Sequence, residues 1–160
     1  MTLDIEIDGW PAPPDWTEVA SRASEAASKV APELASDRLS ASLLFTSDEE
    51  VHALNREWRE KDKPTNVLSF PMIDRETLLS RAPDGPHELL GDIALAWETC
   101  RHEADDKGIA VEHHAAHLIV HGLLHLAGHD HIDPDDADAM EALEIKALAS
   151  MGIDNPYGNV

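Results

Sequence analysis

The stretch HLIVHGLLHLAGHDH, His117 to His131, sets histidines into an apolar background of Leu118, Ile119, Val120, Leu123, Leu124 and Leu126. A run this apolar belongs in a core, yet every imidazole buried with it costs free energy unless it finds a partner. A helix resolves part of that conflict. His121 and His125 are four apart, so on a helix both rings stand on one face, one turn apart. Gly128 can take the left-handed conformation and end the helix, which lets the chain turn back and bring His131 towards the same point. Two helical histidines and a third past a glycine turn make a three-nitrogen set with open positions. That is the donor pattern of a catalytic zinc, one ion per chain.

The plainer alternative is chance. With ten histidines in 160 residues, an i, i+4 pair is not rare, and a lone histidine on an apolar helix is more often a hydrogen-bonded core residue. His131, placed just after the glycine, favours the metal site. The order His121, His125, His131 with Gly128 between is also the spacing of metzincin proteases, where a Glu after the first His serves as general base. Here that position is Gly122, which cannot accept a proton. Peptide hydrolysis by that route is not expected.

A chain of 160 residues is most simply one domain, 1–160, long enough to bury a core. Its 12 basic and 32 acidic residues give a net charge of −20. That favours solubility, weighs against a broad nucleic-acid-binding surface, and leaves no DNA partner expected. Cys100 alone excludes an internal disulfide and fits a reducing compartment. No signal peptide and no membrane-spanning run is evident, so a cytoplasmic protein with no membrane partner is expected.

The remaining pattern predicts the frame around the histidine helix. Leu3, Ile5 and Ile7 alternate with acidic residues, as in a strand with one buried face. A helix follows from about Asp15, and Leu39 to Phe45 alternate as a second strand. Ser47 or Asp48 can cap a helix whose inner face is Val51, Leu54, Asn55 and Trp58. Thr65 to Pro71 is bordered by prolines and predicts an edge strand. Ile73 to Glu88 predicts a long polar loop. Leu89 to Ala96 is more continuously apolar, suited to a central strand. Asp92 interrupts it, with structural hydrogen bonding favoured over catalysis. Helices are expected at Trp97–Lys107, at Val111–Ala127, and after the acidic start at Asp133, with Met140, Leu143, Ala147 and Met151 on one face. The sum is an α/β (α+β) sandwich: a mixed, roughly four-stranded sheet packed by about five helices, the histidine helix at its centre.

Four of the 12 basic residues, Arg56, Arg59, Lys61 and Lys63, fall within residues 56–63. A solvated helix end explains Lys61 and Lys63 equally well, since Glu57, Glu60 and Asp62 are interleaved with them. Arg59, beside Trp58 near the helix end, has the reach to enter a cleft and the forked guanidinium to bind phosphate. His117 extends the ligand stripe by one more step of four and either orients a ligand or packs. His113 and His114 are read as structural.

At this point the residues resemble a known family. HGLLHLAGHDH, His121 to His131, resembles the signature of the YbeY family of bacterial rRNA maturation factors. LNREWREKDKPTNVLSFP, Leu54 to Pro71, and LGDIALA, Leu90 to Ala96, are similar to its other distinctive stretches, as are Met140, Glu141, Glu144 and the ending GIDNPY, Gly152 to Tyr157. The resemblance implies a metal-dependent endoribonuclease acting on single-stranded RNA. It implies processing of the small-subunit rRNA 3′ end and ribosome quality control, with an rRNA precursor and the small subunit or its assembly proteins as partners. Carried over residue by residue, it makes His121, His125 and His131 the zinc ligands and Arg59 a residue needed for activity.

His129 stands where many members have Tyr, leaving an extra imidazole nearby. His117, His129 and Asp130 are candidates for the shell behind the ligands. No general base is evident, and the gap stays open between metal-activated water, the RNA 2′-hydroxyl as internal nucleophile, and His129. Two other classes stay open as well: a metallohydrolase of a peptide or small phosphoester, and a non-enzymatic ribosome-assembly factor with a structural zinc closed by His129 or Asp130. RNA binding by so acidic a chain implies either a local basic cleft at Arg59, Lys61, Lys63 and the metal, or a protein partner that delivers the RNA.

Overall fold

A computed structural model describes residues 1–61, 65–82, 84–129 and 133–157. In chain order its elements are β1 (Thr2–Ile7), α1 (Trp16–Val30), a 3-10 turn (Pro32–Leu34), β2 (Leu39–Thr46), α2 (Asp48–Arg59), β3 (Val67–Pro71), α3 (Arg75–Leu79), β4 (Glu88–Ala96), α4 (Trp97–Lys107), α5 (Val111–Leu126) and α6 (Pro134–Ser150). The strands form one sheet in the order β1-β2-β4-β3, parallel except for β3. The mixed four-stranded sheet and the central α5 are as the sequence predicts. Among the described residues no helix is long and apolar enough to cross a membrane.

Proline explains the placement of β3. Ala96 donates to the Asn66 carbonyl and Met72 to the Leu90 carbonyl, so the ladder to β4 uses Asn66, Leu68, Phe70 and Met72. Val67, Ser69 and Pro71 therefore turn their backbone to the open edge, where a residue without an N–H removes no ladder bond.

One face of the sheet carries the main core. Ala41, Leu43, Phe45, Ile93 and Leu95 meet Ala20, Ala23 and Ala27 of α1 and Ile119, Leu123 and Leu124 of α5, with Met140 and Leu148 of α6 behind. α5 lies close to β4. A Cβ at Gly122 would stand 3.0 Å from Ile93 Cδ1, and one at Gly91 would stand 2.7 Å from Leu126 Cδ2. The position that bears a glutamate in metzincins is thus pressed against the sheet, with no room for such a side chain without moving Ile93.

Among the described residues the other face carries only α2, seated through Val51 on Leu68, Ala94 and Ala96. Ser47 is its cap, accepting from the Glu50 N–H at 3.2 Å. Asp48 instead binds Thr99 through both the backbone N–H (2.9 Å) and the hydroxyl (2.7 Å). Beside α2 an open groove of about 870 Å³ remains. Two expectations change here. Trp58 is 67% exposed on the groove rim, because among the described residues no second helix covers this face. The Asp92 side chain also faces the groove and makes no hydrogen bond among the described residues.

The stretch expected as a loop, Ile73 to Glu88, holds the short helix α3. Asp74 caps it by accepting from the Thr77 N–H at 2.7 Å, and Ile73 and Leu78 are buried. Two apolar residues five apart are too little periodicity to reveal a helix of one and a half turns.

Candidate metal centre

Beyond its first turn α5 is buried on nearly all sides, as a central helix should be, and from His114 to Leu126 only His121 and His125 are partly exposed. His121 and His125 are half-buried, with ring centroids 4.7 Å apart. Gly122 abuts Ile93 and Leu126 abuts Gly91, and these β4 residues pair with Ser69 and Pro71 of β3. The histidine-bearing turns thus lie level with the stretch of β3 that holds Arg59.

A single buried carboxylate organises the stripe from behind. Glu144 of α6 is 1% exposed. Its Oε1 lies 3.1 Å from His121 Nδ1 and 2.9 Å from His117 Nε2, and it accepts the Tyr157 hydroxyl at 3.0 Å. Burial pushes the Glu144 carboxyl up, but the hydrogen bonds from His117 and His121 outweigh it and hold it at about 2. It is therefore an acceptor only, and each ring nitrogen facing it carries the proton. For His121 that assignment makes Nε2 the nitrogen that would coordinate, with Nδ1–H on a carboxylate, the usual arrangement behind a metal-bound imidazole. Burial, with Glu144 adding, raises the Tyr157 hydroxyl well above its ordinary value, so it stays a donor.

His117 Nδ1 has no hydrogen-bond partner among the described residues. A bare lone pair is the cheaper orphan to bury, which agrees with the proton on Nε2. His117 is turned onto Glu144, behind the candidate ligands. His114 is structural, as expected: its Nε2 lies 2.8 Å from Glu103 Oε1, which also accepts from Asn66 at 2.9 Å and so ties α5 to α4 and the start of β3.

Arg59 sits at the end of α2. Its guanidinium donates to the Ser69 carbonyl on the open edge of β3 and stacks over the Phe70 ring, 5.4 Å from the centroid. Lys61 is exposed just beyond, while Lys63 lies outside the described residues. His129 turns its Nε2 to Glu33 Oε2, at 3.5 Å, and is equally far from Arg75 Nη1. Asp130 and His131 lie outside the described residues, and among those described no three metal-donor side chains converge. Cys100 offers no nucleophile, since burial, then Glu103 and Asp48, push its thiol up to about 12.

His121 and His125 nonetheless fit a zinc ion. Both donors are imidazole nitrogens, a chemistry zinc accepts, and one is already braced by a carboxylate on its far nitrogen. The brace is what sequence reasoning missed. Glu144 entered only as one of several matching positions, although a local signal existed: it falls within the stripe of Met140, Leu143, Ala147 and Leu148, where a carboxylate needs a buried partner. Tyr157 lies past the last helix, and nothing local marks it.

A family model described as endoribonuclease YbeY matches residues 12–152. A protein named endoribonuclease YbeY from Erythrobacter litoralis is 62% identical over 160 residues, covering 99% of each chain. One of the same name from Novosphingobium aromaticivorans is 57% identical over 158 residues, covering 97% of this chain and 95% of its own. Among solved structures, the solution structure of a Thermotoga maritima protein is similar with a TM-score of 0.58, over 99% of this chain and 100% of that one. At 17% identity that likeness shows the fold alone.

Proposed function

The chain belongs to the YbeY endoribonuclease family, and from that premise we propose that it is a zinc-dependent enzyme cleaving single-stranded RNA. Its proposed substrate is the 3′ end of a small-subunit rRNA precursor, met on the small subunit or its assembly proteins. The observation that carries the metal-dependent reading is the His121–His125 pair with Glu144 behind it. His121, His125 and His131 are the proposed ligands. When bound, zinc supplies a Lewis acid that polarises a phosphoryl oxygen and acidifies water.

The chain's own residues do the rest. Glu144 fixes the tautomer and orientation of His121, so the coordinating nitrogen is presented without reorganisation. Arg59 binds the scissile phosphate and stabilises the charge that builds on its oxygens. Its resting acceptor, the neutral Ser69 carbonyl, is weaker than an anionic phosphate, because charge-assisted hydrogen bonds are about twice as strong. His129 faces Glu33, which suits a structural role better than proton transfer or closure of the metal site. No side chain among the described residues is then assigned as proton acceptor, and the attacking oxygen is that of a water or of the RNA 2′-hydroxyl. The helix end with Arg56, Arg59 and Lys61 supplies local positive charge on an acidic chain.

The test is cleavage of a labelled single-stranded RNA by zinc-loaded protein, by the same protein stripped with a chelator, and by Arg59→Ala. Cleavage by the loaded wild type alone, restored when zinc is returned, is expected. Arg59→Ala should keep its zinc and lose about a hundredfold in rate, the cost of one such donor. Equal cutting by loaded and stripped protein would sink the metal assignment, and full activity in Arg59→Ala would remove that residue from the reaction.

A further inference from the structure

α3 carries one side chain that reaches three other parts of the fold. Arg75 Nη1 lies 2.9 Å from Glu33 Oε2, on the 3-10 turn after α1, and donates to the Ala127 carbonyl at 2.7 Å. The same nitrogen is 3.5 Å from His129 Nε2. Between these two contacts the stem of Arg75 fills the notch at Gly128, where a Cβ would stand 2.5 Å from Arg75 Cβ, 3.0 Å from Cγ and 3.1 Å from Cδ. Gly128 has φ +93, a conformation that side chains rarely adopt. Arg75 thus meets Ala127, Gly128 and His129 in succession, and only Asp130 separates them in sequence from His131.

Each contact has a physical reason. The Ala127 carbonyl belongs to the last turn of α5, where a helix leaves its acceptors unsatisfied and its dipole favours a cation. Burial works against a charge on Glu33, yet a backbone hydrogen bond and Arg75 hold its carboxyl below the ordinary range, so the pair is ionised. The Arg75 side chain is 38% exposed, so as an ion pair it adds little stability. Its effect lies in geometry: two hydrogens on one nitrogen, aimed at two separate elements, with an aliphatic stem packed on a third. A lysine, a compact and strongly hydrated charge, does not reproduce that.

We propose that Arg75 is a positioning residue for the zinc centre. By fixing residues 127–129 it sets the direction in which the chain leaves α5 towards the third ligand, and so tightens zinc binding. The proposal rests on the zinc reading given above.

The experiment measures zinc dissociation constants by chelator competition, and thermal unfolding of the zinc-free proteins by circular dichroism. It compares wild type, Arg75→Ala, Arg75→Lys, Glu33→Gln and His125→Ala. Arg75→Ala should bind zinc about tenfold more weakly, the usual effect of losing a supporting contact, with a zinc-free unfolding midpoint close to wild type. Arg75→Lys should fall between, and Glu33→Gln should shift in the same direction. Zinc affinity of Arg75→Ala within about twofold of wild type would overturn the proposal while leaving the zinc reading intact. If Arg75→Ala does not fold, unchanged affinity in Glu33→Gln overturns it instead. Zinc binding by wild type no tighter than by His125→Ala would overturn the zinc reading and the proposal together.

Discussion

His125→Ala is expected to lose bound zinc and RNA cleavage together. His125 is one of two imidazoles that α5 holds side by side, with ring centroids 4.7 Å apart. A single remaining helical histidine plus His131 is below the three protein ligands of catalytic zinc sites. Zinc affinity should fall by more than the hundredfold that an outer contact at most commands, and cleavage should fall to background. The fold should survive, because His125 is half-buried and outside the packed face formed by Ile119, Leu123 and Leu124. Zinc content by atomic absorption, RNA cleavage and an unfolding curve on one preparation separate these claims. Wild-type zinc content in the variant would remove His125 from the ligand set, and an unfolded variant would make any loss of activity uninformative about the metal.

Glu144→Ala is expected to have the largest effect on stability. The Glu144 carboxylate is buried and receives the His117, His121 and Tyr157 hydrogens on one oxygen. Removing it leaves a cavity and takes the shared acceptor from three donors, and a hydrogen bond to a charged group is worth about 1.5–3 kcal/mol, so the loss should reach a few kcal/mol. Glu144→Gln keeps the shape and one acceptor oxygen, so it should cost less. It should still weaken zinc, because an amide oxygen is a poorer acceptor for the His121 Nδ1–H. Urea unfolding of the zinc-free proteins reads the stability, and chelator competition reads the metal. A Glu144→Ala variant as stable as wild type would mean that the buried acceptor contributes nothing net to the fold.

The histidine helix, the edge position of β3 and the central position of β4 were legible because each rests on a local rule. These are a four-residue spacing, a proline beside a ladder, and a run that is apolar but for Asp92. The four-stranded mixed sheet followed from them. What sequence did not give depends on partners far away in the chain. The spacing from Val51 and Leu54 places Trp58 inward, but exposure depends on whether a second helix covers the face, and among the described residues none does. Asp92 was expected to find a protein partner and instead faces the groove. Of the site, the His121–His125 pair was read from spacing. Glu144, 23 residues beyond His121, was not, since its meeting with the stripe is made by the packing of α6 on α5. His131 and Asp130 lie outside the described residues.

The open edge of β3 has a consequence for how copies of this chain behave in concentrated solution. An exposed strand edge is a template on which another molecule can add a strand, the first step of aggregation. This edge is short, and two of its acceptors are engaged. Pro71 presents no donor, the Val67 carbonyl faces the Thr65 hydroxyl at 3.5 Å, and the Ser69 carbonyl is covered by Arg59. A net charge of −20 adds long-range repulsion between molecules. The arginine proposed to grip phosphate thus also guards a sheet edge, and truncating it exposes an adhesive seam as well as an empty anion site.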